Sequence, residues 1–291
     1  MASCDSCPSK GSCSSHTEGG ECPSSQNSQK DEKQSMLEKL NPKASVKKVI
    51  GVCSGKGGVG KSLVTSILAA RLAKEGYRVG ILDADITGPS IPKAFGLTEF
   101  LTADEDKVLL PAVTKNGIQV VSINLLLENP DAPVLWRGPV IGGLVKQFWT
   151  DVKWEGLDVL LIDMPPGTGD VPLTVFQSIP VDGILLVSTP QDLVSMIVNK
   201  ARNMALMMQV KVLGFVENMS YVKCGKCGEQ IKLFGDNNNV ENAAGEMGCK
   251  VLDKMPLDPD ITKLVDGGNI EDIPAGILDG TVEKVKSILE K

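Results

Sequence analysis

The sequence predicts an α/β fold built on a mostly parallel, doubly wound sheet, and three observations carry that expectation. From Val46 onward, short apolar runs alternate with helical patterns, as in a parallel sheet covered on both faces. The run Val49-Ile50-Gly51-Val52-Cys53 leads into a glycine-rich turn and then a helix start. A later run, Val159 to Ile162, ends abruptly in the carboxylate of Asp163. With 291 residues, 42% of them hydrophobic, the chain can bury one sizeable core and little more.

The turn reads Gly55-Lys56-Gly57-Gly58-Val59-Gly60-Lys61-Ser62, which is G-x-x-x-x-G-K-[ST] in the strand-turn-helix context a phosphate-binding loop requires. Gly57 and Gly58 let the backbone approach phosphates without a Cβ in the way. Lys61 is placed to reach the β- and γ-phosphates of ATP and Ser62 to put its hydroxyl on Mg²⁺. Leu63 to Glu75 pattern as the helix, ended by Gly76. Lys56 is an additional cation inside the loop, either solvated or a second positive charge for the phosphates. These features place the fold in the phosphate-loop NTPase class.

The remaining elements follow in order. Arg78 to Leu82 is the second strand and leads into Asp83-Ala84-Asp85. Asp85, followed by Gly88 and Pro89, is the expected orienting residue for attacking water, while Asp83 stands close enough to the strand to assist a metal. Further strands are expected at Gln119 to Ile123, Val159 to Ile162, Gly183 to Val187, Val212 to Val216 and Lys250 to Leu252, and helices at Gly142 to Trp149, Leu193 to Gln209 and Thr281 to Glu290. Asp163 would hold the Mg²⁺ water shell opposite Ser62. After it, Met164-Pro165-Pro166-Gly167-Thr168-Gly169-Asp170 makes a stiff turn whose Gly167 N-H is expected to sense the γ-phosphate. A carboxylate in place of glutamine predicts slow, switch-like hydrolysis. Asn218 is expected at an adenine edge, and Pro256 to Asp260, after the last strand, over the base.

The eight cysteines divide into three groups. Residues 1–35 are a Ser-, Gly- and Cys-rich tail without aliphatic residues to form a core, set apart from the ATPase domain at 36–291. Its Cys4, Cys7, Cys13 and Cys22 provide enough thiolates for a zinc site or an iron-sulfur cluster, the alternative being scattered thiols, with His16 a bystander or substitute ligand. Cys224-Gly225-Lys226-Cys227-Gly228 has the form of a metal knuckle, with glycines that free N-H groups to point at sulfur. Cys53 and Cys249 read as buried small apolar residues in strands. Two knuckle thiolates are half of a four-ligand site, so the other two come from the tail or from a second copy of Cys224 and Cys227 across a twofold axis.

The net charge of -6 argues against a nucleic-acid or anionic-membrane partner. No uninterrupted apolar run reaches membrane-spanning length, and Met1 opens no apolar signal region. The expectation is a cytoplasmic protein with reduced thiols.

Taken together, Gly55 to Ser62, Asp83 to Ser90, Trp136-Arg137-Gly138-Pro139, Asp163 to Asp170, Gly214 to Ser220 and Cys224 to Cys227 resemble the Mrp/ApbC family of iron-sulfur cluster carrier ATPases, within the MinD-like deviant phosphate-loop class. The resemblance covers residues 30 to 291. It implies a homodimer in which Lys56 crosses to the partner's nucleotide. It also implies that Cys224 and Cys227 of both protomers bridge a labile [4Fe-4S] cluster, which passes to apo iron-sulfur proteins with cluster-assembly proteins as further partners. The tail's Cys7-x5-Cys13, preceded by Cys4, resembles the motif of eukaryotic cytosolic scaffold relatives, departing from it in lacking a cysteine well upstream and in having Cys22. Two alternatives remain. A MinD-like positioning ATPase with a structural zinc knuckle would want a basic amphipathic C-terminal helix, and Thr281 to Lys291 is short and charge-balanced. A nitrogenase-reductase-like electron donor would use two widely separated cysteines.

Overall fold

The central strand β1 (Val46–Ser54) is buried along its last six residues, and no polar side chain interrupts the run until Ser54 at its carboxyl end. A computed structural model describes residues 36–85, 90–126, 138–191, 208–235 and 238–290. The tail cysteines and His16, residues 193–207 of the helix expected at Leu193 to Gln209, and Trp136 and Arg137 lie outside the described residues.

From β1 the chain turns into α1 (Lys61–Lys74), whose end is fixed by Gly76 at φ 89°. Gly76 N-H bonds to Ala73 O at 3.0 Å and Tyr77 N-H to Leu72 O at 3.2 Å, the paired bonds of a Schellman stop. The next elements are β2 (Val79–Asp83), α2 (Ser90–Ala94), β3 (Thr102–Ala103), β4 (Leu109–Leu110), β5 (Ala112–Val113) and β6 (Gln119–Ser122). Then come α3 (Gly138–Thr150), β7 (Leu157–Asp163), α4 (Asp170–Ser178) and β8 (Gly183–Ser188). The chain closes with β9 (Val212–Lys223), β10 (Gln230–Ile231), α5 (Asn239–Glu246), β11 (Val251–Pro256), α6 (Pro259–Asp266) and α7 (Asp279–Leu289).

Across the main sheet the order is β5-β6-β2-β7-β1-β8-β9, with β10 and β11 each paired to β9. The pairs among β6, β2, β7, β1, β8, β9 and β11 are parallel, while β5 and β10 are antiparallel. Successive β1 residues feed opposite cores. Val49 and Cys53 pack with Phe148, Trp149 and Phe176 on one face, and Ile50 and Val52 pack with Val64, Ile67 and Val282 on the other. That is the expected doubly wound sheet. β1 connects through α1 to β2 on one side, while β7 crosses through α4 to β8 on the other, so the carboxyl end of β1 is the crevice where such sheets bind ligands.

Three expectations are corrected. β9 runs on to Lys223 instead of stopping at Val216, so Asn218 lies within the strand. Its polar residues are tolerated there because Ser220 Oγ donates to Glu217 Oε1 at 2.7 Å and Asn218 has a partner described below. Pro256 closes β11 instead of following it, which an edge strand with one paired side permits. Cys249 lies in the turn before β11, half-buried, with Sγ on Ala244 O at 3.5 Å. Helices α2, α4, α5 and α6 are additions to the expected set, although Asp258-Pro259 is a start signal: Asp258 accepts from Asp260 N at 2.9 Å and Pro259 opens the helix. Among the described residues no helix is long and apolar enough to cross a membrane.

Candidate functional site

The phosphate loop sits at the carboxyl end of β1, with Gly58 at φ 78° and Gly60 at φ 81°. Gly60 is the N-cap of α1 and has no side chain with which to satisfy the first-turn N-H groups, which therefore suit an anionic ligand. A cavity of about 420 Å³ opens over the loop, lined by Gly57 to Ser62, then Leu63 and Ser66 of α1, Asp85, Lys93 of α2, Pro166 and Val265 of α6. One wall is the glycine-rich loop with Lys61, and the facing wall carries Ser90, Lys93 and Ala94 of α2 and Val265 of α6.

Below the loop lies a buried charge cluster. Lys61 Nζ donates to Asp163 Oδ2 at 2.7 Å and lies 3.4 Å from Asp85 Oδ2. Ser62 Oγ donates to the same Asp163 oxygen at 2.6 Å, and Thr65 Oγ1 donates to Asp163 Oδ1 at 2.7 Å. The structure thus brings together Lys61, Ser62, Asp85 and Asp163, as expected, and adds Thr65. A hydroxyl and a carboxylate in contact are hard oxygen donors that fit Mg²⁺, so Ser62 and Asp163 would hold the ion, which would neutralise charge on the phosphates.

Asp83 faces Asp163 directly across the β2–β7 ladder. Burial and the Asp163 charge hold its carboxyl well above the usual carboxylate range, against the opposing pull of Ser122 Oγ-H at 2.7 Å, Asp85 N-H at 3.1 Å and Lys61. The folded state therefore keeps a proton that the unfolded chain releases near pH 4. As pH rises from about 4 through the raised pKa, stability is lost, because the native state binds more protons than the unfolded one across that window. Asp83→Asn removes this titration. In EDTA, without nucleotide, its melting temperature relative to wild type is expected to rise steadily with pH above about 4; parallel curves would contradict the assignment.

Other expected site residues have different partners. Lys56 Nζ donates to Gln191 Oε1 of its own chain. Gly167, at φ 88°, donates its N-H to Ser54 O at 2.9 Å, bridging the turn after β7 to the loop's start. Asn218, 2% exposed, donates Nδ2 to Val59 O at 2.9 Å and does not line the cavity; neither does Pro256.

The knuckle forms the tip of the β9–β10 hairpin. Cys224 N-H bonds to Glu229 O at 2.8 Å and Gly228 N-H to Cys224 O at 2.9 Å, with Gly228 at φ 75°. Backbone N-H groups of Cys227 and Lys226 point at the Cys224 sulfur and, together with the Cys227 thiol, hold its pKa below that of an ordinary cysteine. Cys224 is half-buried and Cys227 exposed, with the exposed apolar side chains of Ile231 and Leu233 following on the same hairpin. Cys53 behaves oppositely: burial pushes its thiol up to about 12, so it remains protonated. Among the described residues no three His, Cys, Asp or Glu side chains converge on a metal position.

A family model described as ParA, NUBPL iron-transfer P-loop NTPase, matches residues 45–289. The chain is 46% identical over 283 residues to an iron-sulfur cluster carrier protein of Clostridium perfringens, covering 94% of this chain and 95% of that one. It is 40% identical over 294 residues to the protein of the same name from Methanocaldococcus jannaschii, covering 99% and 96%. A nucleotide-binding protein from Archaeoglobus fulgidus, solved with ADP and with cobalt found in it, shares 44% identity at a TM-score of 0.70, covering 79% of this chain and 90% of that one. The cell-division ATPase MinD of Pyrococcus furiosus, at 19% identity and a TM-score of 0.56, covers 83% and 99% and shares the fold.

Proposed function

Given that the chain belongs to the family of NUBPL iron-transfer P-loop NTPases, we propose that it is an ATP-dependent iron-sulfur cluster carrier acting as a homodimer in the cytoplasm. The observation that carries this reading is the thiol pair Cys224 and Cys227, presented at the tip of a hairpin whose strand β9 also grips the phosphate loop through Asn218. The cargo is a labile [4Fe-4S] cluster. Cluster ligation takes about four thiolates and one chain presents two here, so a second copy supplies the rest. Similarity to named cluster carriers supports the same reading.

In this account Lys61 and Ser62 hold the β- and γ-phosphates and Mg²⁺ with Asp163, Asp85 orients the attacking water, and Gly167 reports the γ-phosphate. Lys56 leaves Gln191 to reach the partner's nucleotide. A water-orienting carboxylate makes hydrolysis slow. Nucleotide state then sets how firmly the cluster is held before it passes to an apo iron-sulfur protein, and the tail cysteines at 4, 7, 13 and 22 provide a second cluster site.

The test is anaerobic transfer. Cluster-loaded protein is mixed with an apo [4Fe-4S] enzyme, and recovery of the acceptor's activity is followed with and without Mg-ATP. Faster or fuller activation with Mg-ATP is expected. Reduction of the acceptor without movement of iron would instead indicate an electron donor.

A further inference from the structure

We propose that Asn218 is the positioning residue that couples the phosphate loop to the thiol pair, through a bulge in β9 centred on Met219. The inference deepens the carrier reading and rests on it.

Asn218 is clasped from both sides. Its Nδ2 donates to Val59 O at 2.9 Å, and its Oδ1 accepts from Met219 N at 2.9 Å. A Cβ on Gly60 would strike its amide nitrogen, so the loop backbone rests directly on this side chain. Any displacement of Val59 or Gly60 as the loop wraps phosphate must move Asn218 or break the contact.

The strand transmits that displacement because of its local shape. Met219 has φ 56°, a left-handed conformation in mid-strand that a side chain with a Cβ adopts only when its surroundings impose it. β9 is locked to β8 up to the pair Ser188–Glu217 and to β11 at Lys254–Glu217. The β11 register then shifts, so that Pro256 next meets Tyr221. The bulge is therefore confined to Asn218, Met219 and Ser220. Ser220 Oγ stiffens it, its one hydroxyl proton shared between Glu217 O at 2.9 Å and Glu217 Oε1 at 2.7 Å. Beyond it, Leu257 N-H bonds to Tyr221 O at 2.8 Å, and the strand continues into the hairpin bearing Cys224. A motion entering at Asn218 has a continuous path onward, along β9 to the knuckle, where the N-H groups aimed at Cys224 sulfur depend on hairpin geometry.

The test uses the full chain, metal-free and reduced, and measures alkylation rates of Cys224 and Cys227 by mass spectrometry with and without Mg-ADP and Mg-ATP, with nucleotide affinity measured alongside. In wild type, nucleotide is expected to change the rate by about fivefold. In Asn218→Ala the change is expected to vanish at saturating nucleotide. Met219→Gly keeps the Val59 contact but lets the backbone absorb the displacement. Its nucleotide affinity should match wild type while the thiol response shrinks, a combination that a merely structural role for the bulge does not produce. A full thiol response in both variants, or no response in wild type, would overturn the proposal. Because no cluster is present, either result leaves the cluster-binding reading to its own test.

Discussion

Lys61→Ala is expected to lower the rate of ATP hydrolysis by at least about 100-fold, because it removes a preorganised cation from the position where charge develops on the phosphates. It is also expected to destabilise the nucleotide-free protein. Lys61 is 5% exposed and its partner Asp163 fully buried, with Asp85 at 3.4 Å, so removing the ammonium leaves the Asp163 carboxylate buried without its cation. Breaking a buried pair costs about 3–5 kcal/mol, and here the loss is expected near the lower end, since Ser62 and Thr65 still donate to Asp163. Thermal unfolding separates this from the kinetic effect, and Lys61→Arg, which keeps the charge, should recover stability more than turnover. Cluster content should survive in the alanine variant while transfer loses its ATP dependence. Undiminished hydrolysis would remove the phosphate loop from the mechanism.

Replacing Cys224 and Cys227 together by alanine is expected to have the opposite profile. Both residues stand at an exposed hairpin tip, so stability should change by no more than about 0.5 kcal/mol and basal hydrolysis by less than about twofold. Iron and sulfide held at this site should disappear, about four of each per pair of chains. The two cysteines should also differ before any metal is added. With two N-H groups and the Cys227 thiol stabilising its thiolate, Cys224 should alkylate faster near neutral pH, while Cys53 stays unreacted in the folded protein. Iron binding unchanged in the double variant would transfer the cargo site to the tail.

What the sequence made legible was contiguous. The phosphate loop, its strand and its helix occupy one stretch, each glycine and the lysine carrying its own reason. Asp163 ends an apolar run that could only be a buried strand, and the knuckle's glycines announced N-H groups free to reach sulfur. What stayed hidden depends on strand pairing across long separations. Thr65 meets Asp163 across 98 positions and Asn218 meets Val59 across 159, and no local pattern encodes either contact. The sequence pattern ends β9 early because Glu217, Asn218 and Ser220 are polar, and polar residues after an apolar run resemble a loop. They are buried and satisfied instead, and their being in the strand is what joins the nucleotide end of the sheet to the cysteines. Asp258-Pro259, by contrast, is a helix start legible from two adjacent residues.

The most direct measurement is native mass spectrometry of the full-length protein after anaerobic reconstitution, compared with the Cys224→Ala/Cys227→Ala variant. The account predicts a wild-type species of two chains that exceeds the variant pair, after correction for the substitutions, by the mass of one cluster of about four iron and four sulfide. Monomers carrying zinc, or a wild type and variant with identical iron and sulfide, would contradict it.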